Sequence, residues 1–184
     1  MITIRRISAD QAPVLRTVRL AALADTPDAF SSTLERELAF DDSEWGTRAT
    51  GAAAGHERCT FFAWHDDGRV VGIVGGYRHH PAARASDGSV EGAGEAASDE
   101  AVVDLVSMWT DPSVRRSGTG RRLIDAVVDW ARTAAVSRVE LWVMRGNDPA
   151  QRLYESAGFV VTGDHQPFPS DPCRDEIRMV LSIS

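Results

Sequence analysis

Six residues, Arg115–Gly120, read RRSGTG and stand between an apolar run, Val102–Thr110, and an amphipathic run that begins at Arg121. The first run fits a central strand and the second a helix, so a glycine-bearing loop must deliver a strand into a helix N-terminus. The first N–H groups of a helix have no intrahelical partner, and the helix dipole adds partial positive charge there. Gly118 and Gly120 keep side chains out of the approach, and Arg115, Arg116, Arg121 and Arg122 add four cations within eight residues. This is the composition of an anion cradle suited to a pyrophosphate. It is not a P-loop, which needs a lysine absent here, nor GxGxxG, which needs glycine where Leu123 stands.

Upstream, Ile2, Ile4 and Ile7 predict a short strand, and Val14, Leu15, Val18 and Leu23 share one face of a helix over about 9–24. A second helix is predicted over 31–39. Residues 59–65 and 69–77, rich in Val, Ile and aromatics around Asp66, Asp67 and Gly68, read as a hairpin. Between Pro81 and Ala101 almost nothing apolar larger than Ala occurs, which predicts a mobile acidic loop. Past the RRSGTG loop, Leu123, Val127, Trp130 and Ala134 line one face of a helix over 121–135, and Val139, Leu141 and Val143 alternate along a strand. Asp148 reads as the N-cap, Pro149 as the first residue and Gly158 as the stop of another helix. Residues 159–162 and 177–181 complete a sheet. The succession is mixed α/β, with hairpins early and crossover helices late.

With 184 residues, 43% of them hydrophobic, a single domain over 1–184 is expected. A net charge of −7 argues against general nucleic-acid binding and makes the arginine-rich loop a local anion site in an acidic chain. No apolar run is long enough to span a bilayer, and MITIRRISAD lacks the order of a signal peptide. Cys59 and Cys173 are isolated and lack metal-ligand spacing, so no metal is expected and a cytoplasmic location fits.

In VSMWTDPSVRRSGTGRRLIDAVVDWA and the later ELWVMRGNDPAQRLYESAGFVVTG, the succession is strand, Pro112, Arg115, Gly118, Gly120, helix, strand, Asn147, Tyr154, Gly158, Phe159. This resembles the core of the GNAT superfamily of N-acetyltransferases, strongly over Val102–Gly163 and more loosely at VRLAALADTPDAF. The resemblance implies an α/β fold whose central mixed, mostly antiparallel sheet is flanked by helices and splayed between its fourth and fifth strands. It implies acetyl-CoA as cosubstrate and acetyl transfer to a primary amine of a small molecule or peptide by direct attack in a ternary complex.

By the same resemblance, Arg115, Arg116, Ser117, Gly118, Thr119 and Gly120 hold the CoA pyrophosphate through backbone N–H groups, with Arg121 and Arg122 adding charge. Met108, Trp109 and Thr110 offer backbone groups to the pantetheine arm as an added strand would. A backbone N–H near Met108 or Thr110 is the implied oxyanion donor. Asn147 matches a position that contacts pantetheine or a nearby water, and reads equally well as a helix cap. Tyr154 matches a tyrosine whose phenol points at the CoA sulfur, where it would act as general acid.

The attacking amine must also lose a proton. Asp104 lies six residues before Thr110, a spacing that matches a glutamate base in some members, and the shorter side chain would work through a water. Alternation sets it with Val106 and Met108; a structurally paired acid is the other reading. His79 and His80 are further candidate bases. Residues 25–44 hold seven acids and only Arg36 as a base, which would attract a cationic acceptor or form a solvated face. Asp171, Asp175 and Glu176 could line the acceptor site, and Trp45, Trp64 and Trp109 could wall it. The resemblance also suggests a homodimer formed through terminal strands, and Ile177, Met179 and Leu181 alternate as such an edge would. The alternative to an enzyme is a catalytically silent acyl-CoA-binding regulatory or partner-binding protein.

Overall fold

A computed structural model describes residues 1–80, 100–169 and 171–183. Seven strands form one sheet: β1 (Ile2–Arg6), β2 (Arg58–His65), β3 (Val70–His79), β4 (Val102–Thr110), β5 (Arg138–Met144), β6 (Val160–Phe168) and β7 (Asp171–Ser182). Their order is β1-β2-β3-β4-β5-β7-β6. Only β4 and β5 run parallel. The remaining neighbours are antiparallel, giving the mixed, mostly antiparallel sheet that was expected.

Helices cover the two faces unequally. Helix α4 (Thr119–Thr133) lies on one face because Leu123, Ile124, Val127, Val128 and Ala131 form a continuous apolar stripe. They pack against Val103, Leu105, Val139, Leu141 and Met179, joined by Tyr154 and Phe159 from the end of α5 (Asp148–Ser156). The other face carries α1 (Ala12–Asp25), α2 (Leu34–Leu38) and α3 (Asp42–Ala54), whose Leu15, Val18, Leu23, Trp45 and Ala49 pack on Phe62, Ile73 and Trp109.

Several sequence-based expectations need correction. Helix α3 was not foreseen, because Gly46 and Gly51 dilute its pattern; yet its ends are signposted by Asp41, whose side chain accepts from the Glu44 N–H, and by Gly55 at φ 71°. The N-cap of α5 is Asn147, one residue earlier than expected. Strand β7 does not form the edge of the sheet. It pairs with β5 and β6 on its two sides, so Met179 is fully buried and the edge falls to β6. The acidic loop expected over 81–101 lies outside the described residues except at its end, where Ala101 is already buried.

Candidate active site

The site begins where β4 leaves β5. Val103 pairs with Val139 and Asp104 with Glu140, and no pair follows. On the other side of β4 the register with β3 shifts between Ile73 and Gly75, and Ser107 sits at φ 57°. This bulge breaks the alternation along β4. Leu105 faces α4 as its strand period requires, but Met108 also packs on that side while Trp109 turns into the α1–α3 core. Asp104 and Met108 therefore do not share a face, contrary to simple alternation.

The gap between the parting strands opens into a cleft of about 940 Å³. Met108, Trp109, Thr110, Arg115, Arg116, Gly118, Gly120, Arg121, Asn147 and Tyr154 line it, together with Asp104. Thus most of the sequence-predicted residues converge on one cavity. Ser117 and Thr119 stabilise the loop itself: the Ser117 hydroxyl donates to the Val114 carbonyl at 2.6 Å and lies 2.7 Å from the Thr119 hydroxyl.

The two glycines of the loop serve different ends. Gly118 is the N-cap of α4 at φ 83°, with open space around a would-be Cβ. A Cβ on Gly120 would meet Leu153 Cδ2 at 3.0 Å and Met108 Cε at 3.2 Å, so this glycine lets α4 approach α5 and β4. Replacing Gly118 with Ala is expected to cost about 1–2 kcal/mol through the left-handed backbone alone. Urea unfolding would check it; an unchanged midpoint would contradict the strain argument.

The arginines divide in a way their spacing did not disclose. Arg115 pairs with Asp25 and donates through Nε to the Thr110 carbonyl at 3.2 Å, tying the loop to α1 and to the end of β4. Trp109 Nε1 donates to the same Asp25 carboxylate at 2.9 Å. Arg121 bonds to Asp125 and, at 2.6 Å, to the Ser156 carbonyl at the end of α5. Arg122 reaches the Ile2 carbonyl of β1 instead of the cleft. Arg116, at φ 63°, is exposed, lines the cleft and makes no ion pair among the described residues.

Asn147 meets the capping expectation: its Oδ1 accepts from the Ala150 N–H at 3.3 Å while the residue also lines the cleft. Tyr154 is 7% exposed and packs edge-on against Phe159, with centroids 5.9 Å apart. Burial pushes its phenol above the ordinary value.

Asp104 is buried and does not stand alone. His79 Nε2 lies 3.1 Å from its Oδ1 and 3.7 Å from Glu140 Oε1, and the His79 side chain is only 8% exposed. The expectation that paired histidines at a strand end face solvent holds for His80 but not for His79. Glu140 was missed. Its signal was available, since an acid interrupts the apolar alternation of β5 just as Asp104 interrupts β4. Burial pushes the Glu140 carboxyl up, but the nearby His79 imidazole, hydrogen bonds from Arg178 and the charges of Arg178 and Arg138 hold it at about 2. His79, Asp104 and Glu140 bring an imidazole and two carboxylates within 4.8 Å, a donor set that linear spacing did not show. Arg178 already brings a guanidinium to Glu140.

The acidic residues of 25–44 are largely engaged within the protein. Glu37 is buried against Arg19, Asp25 holds Arg115, Asp28 pairs with Arg174 at 2.9 Å, Asp41 caps α3 and Glu44 pairs with Arg48. The stretch read as a cation-attracting or a solvated face thus also serves as a bracing network. Of the three tryptophans considered, Trp109 lines the cleft; Trp45 is core, and Trp64 packs against it. Trp142, unforeseen, is a further wall. Cys59 is buried, which pushes its thiol up to about 12 and leaves it unreactive, whereas Cys173 is exposed. No helix among the described residues is long and apolar enough to cross a membrane.

The splayed parallel strand pair meets a glycine-bearing helix N-terminus on one side and a buried tyrosine on the other. The profile of the acetyltransferase (GNAT) family matches residues 20–159, and the chain belongs to that family. It is similar to mycothiol acetyltransferase of Acidothermus cellulolyticus, 32% identical over 139 residues, which are 75% of this chain and 38% of that protein. It is also similar to the ribosomal protein bS18 alanine N-acetyltransferase of Escherichia coli K12, 35% identical over 89 residues, 47% of this chain and 58% of that one. The chain thus spans less than two thirds of either relative's length. Among solved structures, a GNAT-family acetyltransferase of Streptococcus pneumoniae superposes with a TM-score of 0.76 at 19% identity, covering 100% of both chains. Salmonella typhimurium yncA with its cofactor acetyl-CoA superposes with a TM-score of 0.72 at 18% identity, over 100% of this chain and 95% of the other.

Proposed function

We propose that this chain is a single-domain N-acetyltransferase that moves the acetyl group of acetyl-CoA to a primary amine by direct attack. The observation that carries the reading is the convergence of the RRSGTG loop, the end of β4 that β5 does not reach and the buried Tyr154 phenol on one cleft. In this reading the CoA pyrophosphate lies against the N–H groups of Ser117–Gly120 and the first turn of α4, with the exposed Arg116 as its cation. The pantetheine arm pairs with the β4 backbone at Met108–Thr110, satisfying groups that β5 does not reach.

Asp104, which faces the cleft and is hydrogen-bonded to His79, takes the proton of the incoming ammonium through a water. The neutral amine attacks the thioester carbonyl, a backbone N–H near Met108 or Thr110 receives the oxyanion, and Tyr154 protonates the departing thiolate. The products are an amide and free CoA.

Thermal shift against acetyl-CoA, CoA and NADH tests the cosubstrate. Both CoA species should raise Tm and NADH should not; stabilisation by RT ln(1 + [L]/Kd) gives about 2.7 kcal/mol at a hundredfold excess over Kd. No response to either CoA species would refute the reading. Thiol release over an amine panel then tests turnover, whose absence in a CoA-binding protein would favour the catalytically silent alternative.

A further inference from the structure

We propose that Glu176 seats the acceptor's ammonium group, and that the acceptor is a singly charged amine with an apolar body. This rests on the acetyl-transfer reading of the same cleft.

Glu176 stands on β7 between Met144 of β5 and Gln166 of β6. Ile177 and Met179 face α4, so strand alternation turns Glu176 to the opposite face, together with Arg178 and the buried polar residues beside Asp104. The cleft passes through the sheet at the β4–β5 gap. The α4 loop, Gly120 and Tyr154 lie at its CoA end, while Phe30, Trp142 and Glu176 belong to the end from which an amine would approach.

Among the described residues no cation lies within ion-pair distance of Glu176. The residue is 6% exposed, and Gln166 Nε2 donates to its Oε2 at 3.1 Å. It has no ion pair among the described residues, and burial pushes its carboxyl above the ordinary value. A carboxylate kept dry without a cation is costly, and a bound ammonium would offset that cost.

Charge bookkeeping around the cleft narrows the acceptor. Asp28 pairs with Arg174 at 2.9 Å, and Asp104 is hydrogen-bonded to His79 at 3.1 Å. Glu37, behind Arg19, is fully engaged. Among the described residues Glu176 is thus the one lining carboxylate with neither a guanidinium nor an imidazole on it, and Asp104 stays with His79 as the base, which suits one ammonium and not the several of a polyamine. Phe30, Trp142 and the 42%-exposed Val106 give the rest of the ligand an apolar lining.

Calorimetric titration of the CoA-saturated full chain with 2-phenylethylamine and with spermidine tests this without relying on turnover. Wild type should bind 2-phenylethylamine more tightly than spermidine. Glu176→Gln, which keeps the shape and the Gln166 contact, should weaken 2-phenylethylamine binding about tenfold or more. The same variant should bind CoA unchanged and melt at an equal or higher temperature, because it removes a buried anion. Equal amine affinity in wild type and Glu176→Gln, tighter spermidine binding, or no 2-phenylethylamine binding to wild type would each overturn the proposal. Glu176→Met provides a second variant with the same expected loss. Failure of the acetyl-transfer reading would register separately, as absent thiol release in a protein that still binds the amine.

Discussion

Replacing Tyr154 with Phe is expected to lower kcat for any competent amine by about a hundredfold or more, the usual range for losing a positioned general acid. The phenol is suited to that role by its surroundings. It is 7% exposed, and burial raises it above its ordinary value of 10.0, so it remains protonated throughout the neutral range. The sign follows for pH: stability linked to this raised group is fully present below about 10 and declines only in alkali. A thiolate leaving a thioester in a closed cleft would otherwise depart as a poorly solvated anion. The Phe variant keeps the ring against Phe159 and removes only the hydroxyl. KM for acetyl-CoA and Tm should therefore change little while kcat falls. Steady-state thiol release and thermal melting on the same preparations separate these effects, and a Phe variant with full kcat would show that another group supplies the proton.

The largest effect on stability is expected from Arg19→Ala, at about 3–5 kcal/mol, because it leaves a buried charge without its main partner. Glu37 is 1% exposed. Arg19 holds it through Nε at 3.0 and 3.2 Å and Nη2 at 2.9 Å, while Arg48 stands off at 3.8 Å. Burial pushes the Glu37 carboxyl up, but bonds and charge from Arg19, with help from Ser32 and Arg48, bring it below its ordinary 4.5. A lowered carboxylate contributes stability that is present above about pH 4.5 and is lost as pH falls below it. The Arg19→Ala variant should lose that contribution at neutral pH and show a weaker acid dependence.

Arg19 also covers the Phe30 ring at 4.5 Å and donates to Ser107 Oγ at 3.2 Å. The pair thus fixes the α1–α2 wall of the cleft against the bulge of β4. Urea unfolding at pH 7 and pH 4 measures both effects. The double change Arg19→Met with Glu37→Leu should recover much of the loss, since neither charge is then stranded; a single-variant loss below 1 kcal/mol would mean that Arg48 alone suffices.

The site was legible in the sequence wherever it is built from neighbours in the chain. Gly118 at a positive φ, the Asn147 cap and the strand-loop-helix succession are local features. A six-residue loop and the NxxxxxxYxxxGF spacing were therefore enough to find residues that line one end of the cleft. What failed was alternation across Ser107. A period of two cannot register an extra residue in one strand, so Met108 was set with Asp104 although it packs on the other face. Helix α3 was missed for a related reason, since small residues carry little periodic signal and only its Asp41 and Gly55 ends were marked.

By itself, the sequence determined most of the elements and the glycine-bearing strand-to-helix loop, because capping, glycine dihedrals and side-chain periodicity act over a few residues. Only the tertiary structure decided which charges meet. Insertion of β7 between β5 and β6 makes Met179 core and carries Glu176 into the cleft. The parallel register of Asp104 with Glu140 gathers His79 and Arg178 around them from strands distant in sequence. Register between remote strands is set by the packing of the whole sheet, and the electrostatics of this site follow from that register.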